Sequence, residues 1–162
     1  MLKWFLFELF YKELLKGGRA VFSSTDALKV GQAFARGYNR ALGGMAEEWG
    51  LSRAEVDVLL FLQNNPGCNT AREVVELRGM AKSGVSKAVD ALVRRGYLAA
   101  APDGRDRRVV RLELLPAARP AVEAGCAAQA AFWEKLRRGI SPQEGAVMAA
   151  VFAKLMDNLN RC

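Results

Sequence analysis

The stretch "DGRDRRVVRLEL" (residues 103–114) sets Arg105, Arg107, Arg108 and Arg111 within seven positions, beside Asp103 and Asp106. Its second half alternates, Val109 and Arg111 against Val110, Leu112 and Leu114, which is the period of a strand with one buried face. Its first half is a tight turn whose geometry comes from Pro102, Asp103 and Gly104. The arginines therefore gather at the tip and along one edge of a predicted hairpin. Such crowding of like charge calls for an anionic partner. Asp103 and Asp106 are expected to pair with flanking arginines and hold the loop in shape.

Working outward, the hairpin's first strand is predicted over Tyr97 to Ala101 and its return over 108–114. The strand is preceded by "AKSGVSKAVDALVRRG" (81–96), a helix with a buried stripe of Val85, Val89, Leu92 and Val93 and a terminating Gly96. "TARE" (70–73) is a capping box that opens a shorter helix ending at Arg78-Gly79. "SRAE" (52–55) is another, opening a helix that stops at Asn64-Asn65-Pro66-Gly67. Further back, Phe34, Tyr38, Leu42, Met45 and Trp49 recur at helical spacing, predicting a helix from about Asp26 to Trp49. Beyond the hairpin the chain turns helical from about Pro116 to Arg138, with Pro116 and Pro120 each restricted to a first turn. Ser141-Pro142-Gln143-Glu144 is a third capping box. The helix after it carries Val147, Val151, Leu155 and Leu159 at four-residue steps, with Met148 and Phe152 beside them.

The amino-terminal "MLKWFLFELFYKELLKGG" reads as an amphipathic helix over 3–16. Trp4, Leu6, Phe7, Phe10, Tyr11, Leu14 and Leu15 share one face, and Glu8, Lys12, Glu13 and Lys16 lie opposite. Those charges and the lack of a small-residue cleavage site argue against a secretory signal or a membrane span. The polar face mixes both signs, so protein rather than membrane is its expected cover. A cytoplasmic protein is the expectation.

Composition narrows the functional classes. At 162 residues, half of them apolar, the chain is long enough to bury a real core as a single domain. The net charge of +7 is concentrated: residues 82–111, under a fifth of the chain, hold eight Lys or Arg against three Asp. A localised positive field favours a polyanion as partner, and nucleic acid is the commonest. Histidine is absent, which removes the usual general base and the commonest metal ligand. Cys68, Cys126 and Cys162 form no CxxC pair, so neither a metal site nor a disulfide framework is signalled, and no cofactor is expected. No phosphate-binding glycine loop or nucleophile elbow is present, which weakens any enzymatic reading.

A short helix, a tight turn and a second helix exposing Lys82, Ser83, Ser86 and Lys87 is the arrangement that offers a helix amino end to the DNA major groove. Serine bonds a base edge or a phosphate, and lysine neutralises phosphate and reaches guanine. The hairpin behind would carry Arg105 toward the neighbouring minor groove.

From about residue 26 onward the chain resembles MarR-family winged-helix transcriptional regulators. "TAREVVELRGMAKSGVSKAVDALVRRGYL" (70–98) is similar to the family's helix–turn–helix, and "DGRDRRVVRLELL" (103–115) to its acidic, arginine-rich wing. The resemblance implies a mainly α fold with a small β-hairpin wing, its winged helix-turn-helix core bracketed by dimerisation helices. Residues 1–50 and 115–162 would dimerise and 51–114 would form the DNA-binding lobe. It implies a homodimer reading a pseudo-palindromic duplex, more a repressor than an activator. Arg105 would be the wing-tip residue, oriented by Asp103. Arg108 would brace the wing base, with Arg107 beside it. Lys82, Ser83, Ser86 and Lys87 would make the recognition-helix contacts. Where the family often caps that helix with Ser or Thr, this chain has Ala81, losing a bond worth about 1 kcal/mol. "LLPAARP" departs from the family's usual stretch after the wing, and the first sixteen residues have no firm counterpart.

The resemblance also implies a small aromatic effector. Phe34, Tyr38, Trp49 and Trp133 are the candidate lining residues, although core packing is the favoured reading of any single one of them. Some members sense oxidants instead, and here Cys68, in the turn before Thr70, is the candidate thiol, with Cys126 expected to be buried. A dimeric adaptor that binds protein through the same winged helix is the remaining alternative.

Overall fold

A hydroxyl placed three residues before a carboxylate starts four of this chain's helices. The computed structural model describes residues 23–161. Within them run α1 (Ser24–Glu48), α2 (Arg53–Asn64), α3 (Ala71–Arg78), α4 (Lys82–Arg94), β1 (Leu98–Pro102), β2 (Val110–Leu114), a 3-10 turn (Pro116–Ala118), α5 (Arg119–Leu136) and α6 (Pro142–Arg161). The boxes Ser52–Glu55, Thr70–Glu73 and Ser141–Glu144 close as the sequence predicts. A fourth, Ser23–Asp26, sets the start of α1 slightly earlier than its apolar spacing suggests. Each satisfies amides that the first helical turn leaves unpaired. The helix expected over residues 3–16, and Cys162, lie outside the described residues.

The core forms where these helices meet the hairpin. Leu42 of α1, Val56, Leu59 and Leu60 of α2, Val74 of α3, Val85 and Leu92 of α4, Leu98 and Leu112 of the strands and Ala121 of α5 are all buried. Each fully buried Leu or Val contributes about 1.5–3 kcal/mol relative to exposure. Val93 departs from the expected stripe. It is 40% exposed, because one step past Leu92 rotates the side chain 100° away from the core.

The strands pair antiparallel with Leu98 opposite Leu114, Ala100 opposite Leu112 and Pro102 opposite Val110. The return strand starts later than expected because Asp106 to Val109 close a turn, with Val109 N–H donating to the Asp106 carbonyl at 2.9 Å. Leu112 N–H donates outward to the Asn69 carbonyl at 2.7 Å, tying the hairpin to the residue that precedes the α3 cap. The prolines then sort themselves. Pro116 opens the 3-10 turn and Pro120 sits in the first turn of α5, where a missing N–H costs nothing.

Further along, α5 crosses α2 with Gly125 at the contact. A Cβ there would lie 2.9 Å from a Leu60 methyl and 3.3 Å from Met45 Cε, so any larger residue forces these side chains to shift. Past that point α1 and α5 run together as a stem held by aromatic packing. The remaining helix, α6, is uncovered: every described residue of it except Gly145 is exposed, including Val147, Met148, Val151, Phe152, Leu155 and Met156. None of the described helices is long and apolar enough to cross a membrane.

Candidate nucleic-acid interface

Two basic surfaces are built by local chemistry. On α4, Lys82, Ser83, Ser86 and Lys87 are all exposed, and their one- and four-residue spacing puts them on one face of the first two turns. Ala81 makes no side-chain cap bond, and no acidic residue occupies the first turn. The positive end of the helix dipole therefore carries no acidic residue in its own first turn.

The wing is cinched by a single side chain. Asp103 Oδ1 accepts from the Arg105 N–H at 2.8 Å and from the Asp106 N–H at 3.1 Å, and Oδ2 accepts from Arg111 Nε at 2.7 Å. The Arg105 amide, then the Arg111 guanidinium, then the Asp106 amide hold its carboxyl down at about 2. Arg111 continues inward, donating from Nη1 to Asn69 Oδ1 at 2.9 Å. Two expectations are corrected here. The residue bracing the wing base is Arg111, while Arg108 makes no ion pair among the described residues. Asp106 pairs with backbone rather than a guanidinium, accepting from the Arg108 N–H at 3.0 Å. Its neighbours along the turn are aligned for an Asx turn, and a backbone amide two residues on is nearer than any arginine head. Arg105, Arg107 and Arg108 are left exposed at the tip.

Other pairs hold α4 and α3 to α2. Glu55, buried by its cap, lies 3.4 Å from Arg95 Nε, and Arg95 Nη2 donates to the Gly50 carbonyl at 2.6 Å. Asp57 receives Arg53 Nε at 2.9 Å and also binds Arg78. Burial works to lower the Arg78 pKa but is outweighed by the Asp57 charge and hydrogen bond, with Tyr38 adding to them, so it stays raised.

Of the four candidate effector residues, the structure brings three together. Phe34 stacks on Tyr38 with centroids 6.0 Å apart and meets Trp133 at 5.6 Å. Trp49 does not join them. It follows the last turn of α1, eleven residues and about 16 Å of helix rise past Tyr38, packed on the core. Two partners were missed by the sequence. Phe132 meets Phe34 at 5.3 Å, and Arg53 places its guanidinium 5.1 Å from the Tyr38 ring centre with Nη1 buried and unbonded. The "FW" pair at 132–133 was the available signal for Phe132. Arg53 had none, being already explained as part of a capping box.

The cysteines are separate. Cys68 is half-buried against the core, and Cys126 is half-buried rather than fully buried, its thiol pushed up by burial and then by Glu123. A raised thiol reacts more slowly with oxidants. Among the described residues no cluster of His, Cys, Asp or Glu is placed to hold a metal.

Comparison with known proteins agrees with this geometry. Residues 49–109, which span α2 through the wing turn, match the MarR family. The transcriptional regulator PA3341 superposes with a TM-score of 0.74 at 25% identity, covering 85% of this chain and 98% of that one. A MarR-family regulator from Silicibacter pomeroyi gives 0.72 at 25% identity, covering 82% and 88%. BpsR of Bordetella bronchiseptica, whose DNA binding is regulated by 6-hydroxynicotinic acid, gives 0.57 at 25% identity, covering 79% and 93%. No curated protein matches the chain.

Proposed function

We propose that this chain, a winged-helix transcriptional regulator of the MarR family rather than an enzyme, works as a homodimeric repressor that reads a pseudo-palindromic operator and lets go when a small aromatic effector binds. The observation that carries the reading is the presence of two exposed basic devices within residues 82–111. One is the acid-free amino end of α4 with Lys82, Ser83, Ser86 and Lys87. The other is a wing whose shape Asp103 fixes while Arg105, Arg107 and Arg108 stay free. A preformed wing loses less entropy when it meets a phosphate backbone than a floppy one does.

In this account the 162 residues act as one domain. Residues 51–114 read DNA, and residues 1–50 and 115–162 dimerise. The uncovered apolar face of α6 supports the second part, since a soluble chain rarely leaves so large a patch in water. Ser86 and Lys87 meet base edges in the major groove, and Arg105 enters the minor groove alongside. The cytoplasm is where it meets its duplex.

The effector site lies at Phe34, Tyr38, Phe132 and Trp133, with Arg53 as the counter-charge. Regulation of BpsR by a hydroxylated aromatic acid supports an aromatic carboxylate as the ligand class. Selection from a random duplex pool tests the account. An inverted repeat is expected; failure to enrich any duplex, with and without aromatic acids, contradicts it.

A further inference from the structure

Between the reading lobe and the α1–α5 stem, one side chain touches both. Gln129 of α5 donates from Nε2 to the Tyr38 hydroxyl of α1, and its Oε1 accepts from Asn64 Nδ2, at the end of α2, at 3.0 Å. Tyr38 in turn lies under the Arg53 guanidinium, which pairs with Asp57, the residue that also holds Arg78 at the end of α3. A connected polar path thus leads from the stem to the helix–turn–helix.

Gln129 stands one turn beyond Gly125, about 6 Å along the axis of α5. Gly125 is a close approach of α5 to α2, where an added Cβ would lie 2.9 Å from a Leu60 methyl. A close backbone crossing fixes a pivot point but not an angle, because helices can rotate about such a contact. An angle needs a second fixed point off the pivot. Among the described residues Gln129 supplies one, bonded on both sides, to the stem through Tyr38 and to the lobe through Asn64. We infer that Gln129 is a positioning residue that holds each reading lobe at a set angle to the stem and so determines the half-site spacing the dimer accepts. This rests on the dimeric DNA reading above.

The test uses the full chain and a series of duplexes in which two half-sites recovered by selection are separated by the selected spacing, or by one or two base pairs more or fewer. Gln129→Leu removes both bonds, and Asn64→Ala, at an exposed site, removes the lobe-side bond alone. Gln129→Glu keeps two acceptors, one for Asn64 and one for the Tyr38 O–H. Leu and Ala variants are expected to narrow the affinity ratio between optimal and altered spacing by about fivefold, the scale of one net hydrogen bond. Binding to a scrambled duplex and its salt slope should stay as in wild type, and Gln129→Glu should keep the wild-type ratio. A sharp spacing optimum that Leu and Ala variants both retain would overturn the inference alone. So would an equal loss on every duplex, which marks general damage to the fold. A wild type indifferent to spacing would overturn the dimeric reading and the inference together.

Discussion

Arg111 and Asp103, eight residues apart on opposite arms of the wing, are joined Nε to Oδ2 at 2.7 Å, while the other oxygen of Asp103 gathers the amides of the turn between them. One carboxylate thus fixes both the base and the tip of the basic hairpin, leaving Arg105, Arg107 and Arg108 exposed.

That arrangement has a pH signature. The Asp103 carboxyl sits at about 2 in the folded wing against an ordinary 3.8. A depressed carboxyl stabilises the folded wing fully above 3.8, and this contribution drains away as pH falls toward 2. An NMR titration of the Asp103 carboxyl should give a midpoint near 2, with the turn amides of Arg105 and Asp106 shifting in step. A midpoint at the ordinary value would mean that the turn is not held by this side chain.

Arg105→Ala should weaken operator binding by about 1–3 kcal/mol, or roughly five- to 160-fold, and leave dimerisation unchanged. Anisotropy titration beside sedimentation analysis checks both halves. Asp103→Asn, which keeps an Oδ1 for the turn amides but loses the Arg111 pairing, should weaken binding less. An Arg105→Ala protein with wild-type affinity would remove the wing from the account.

Replacing Gly125 with Val should lower stability by about 1–3 kcal/mol through overpacking. Helix propensity pulls the other way, by a few tenths of a kcal/mol up to roughly 1. The collision outweighs this because Leu60, the neighbour that must shift, is itself buried in the packed core. Urea unfolding followed by circular dichroism is the measurement. An unchanged midpoint would show that α5 and α2 do not cross this closely.

Phe152→Glu with Leu155→Glu should convert the proposed dimer to monomer at micromolar concentration, raising its dissociation constant a hundredfold or more, roughly the effect of burying unpaired charge. Both side chains are half or more exposed in the single chain, so its own fold should survive. Light scattering reads the mass and melting reads the fold. A double variant that stays dimeric would mean that α6 is not the dimer face.

What could be read in the sequence was local. Capping boxes at Ser52, Thr70 and Ser141 join residues three apart, and the turn at Asp103 and Gly104 is written in adjacent positions. The period of α4 exposed its four basic and hydroxyl positions in the same way. What escaped depends on long separations. Arg111 reaches Asn69 across 42 positions and Gln129 reaches Tyr38 across 91, and no spacing rule connects such pairs. Asp106 misled for the opposite reason. Its nearest partner was its own backbone, which competes with any arginine for the same carboxylate. The aromatic candidates divide likewise: periodicity set Phe34, Tyr38 and Trp49 on one helix, but the packing of α5 chose which of them share a cluster.

The most direct test is the salt dependence of binding to the selected duplex, measured by anisotropy for wild type and Arg105→Ala. A dimeric reader that neutralises several phosphates should lose about a thousandfold or more in affinity between 50 and 200 mM salt, with a shallower slope once Arg105 is gone. Affinity that barely moves with salt, or a slope that Arg105→Ala leaves untouched, would contradict the claim that this basic wing meets DNA.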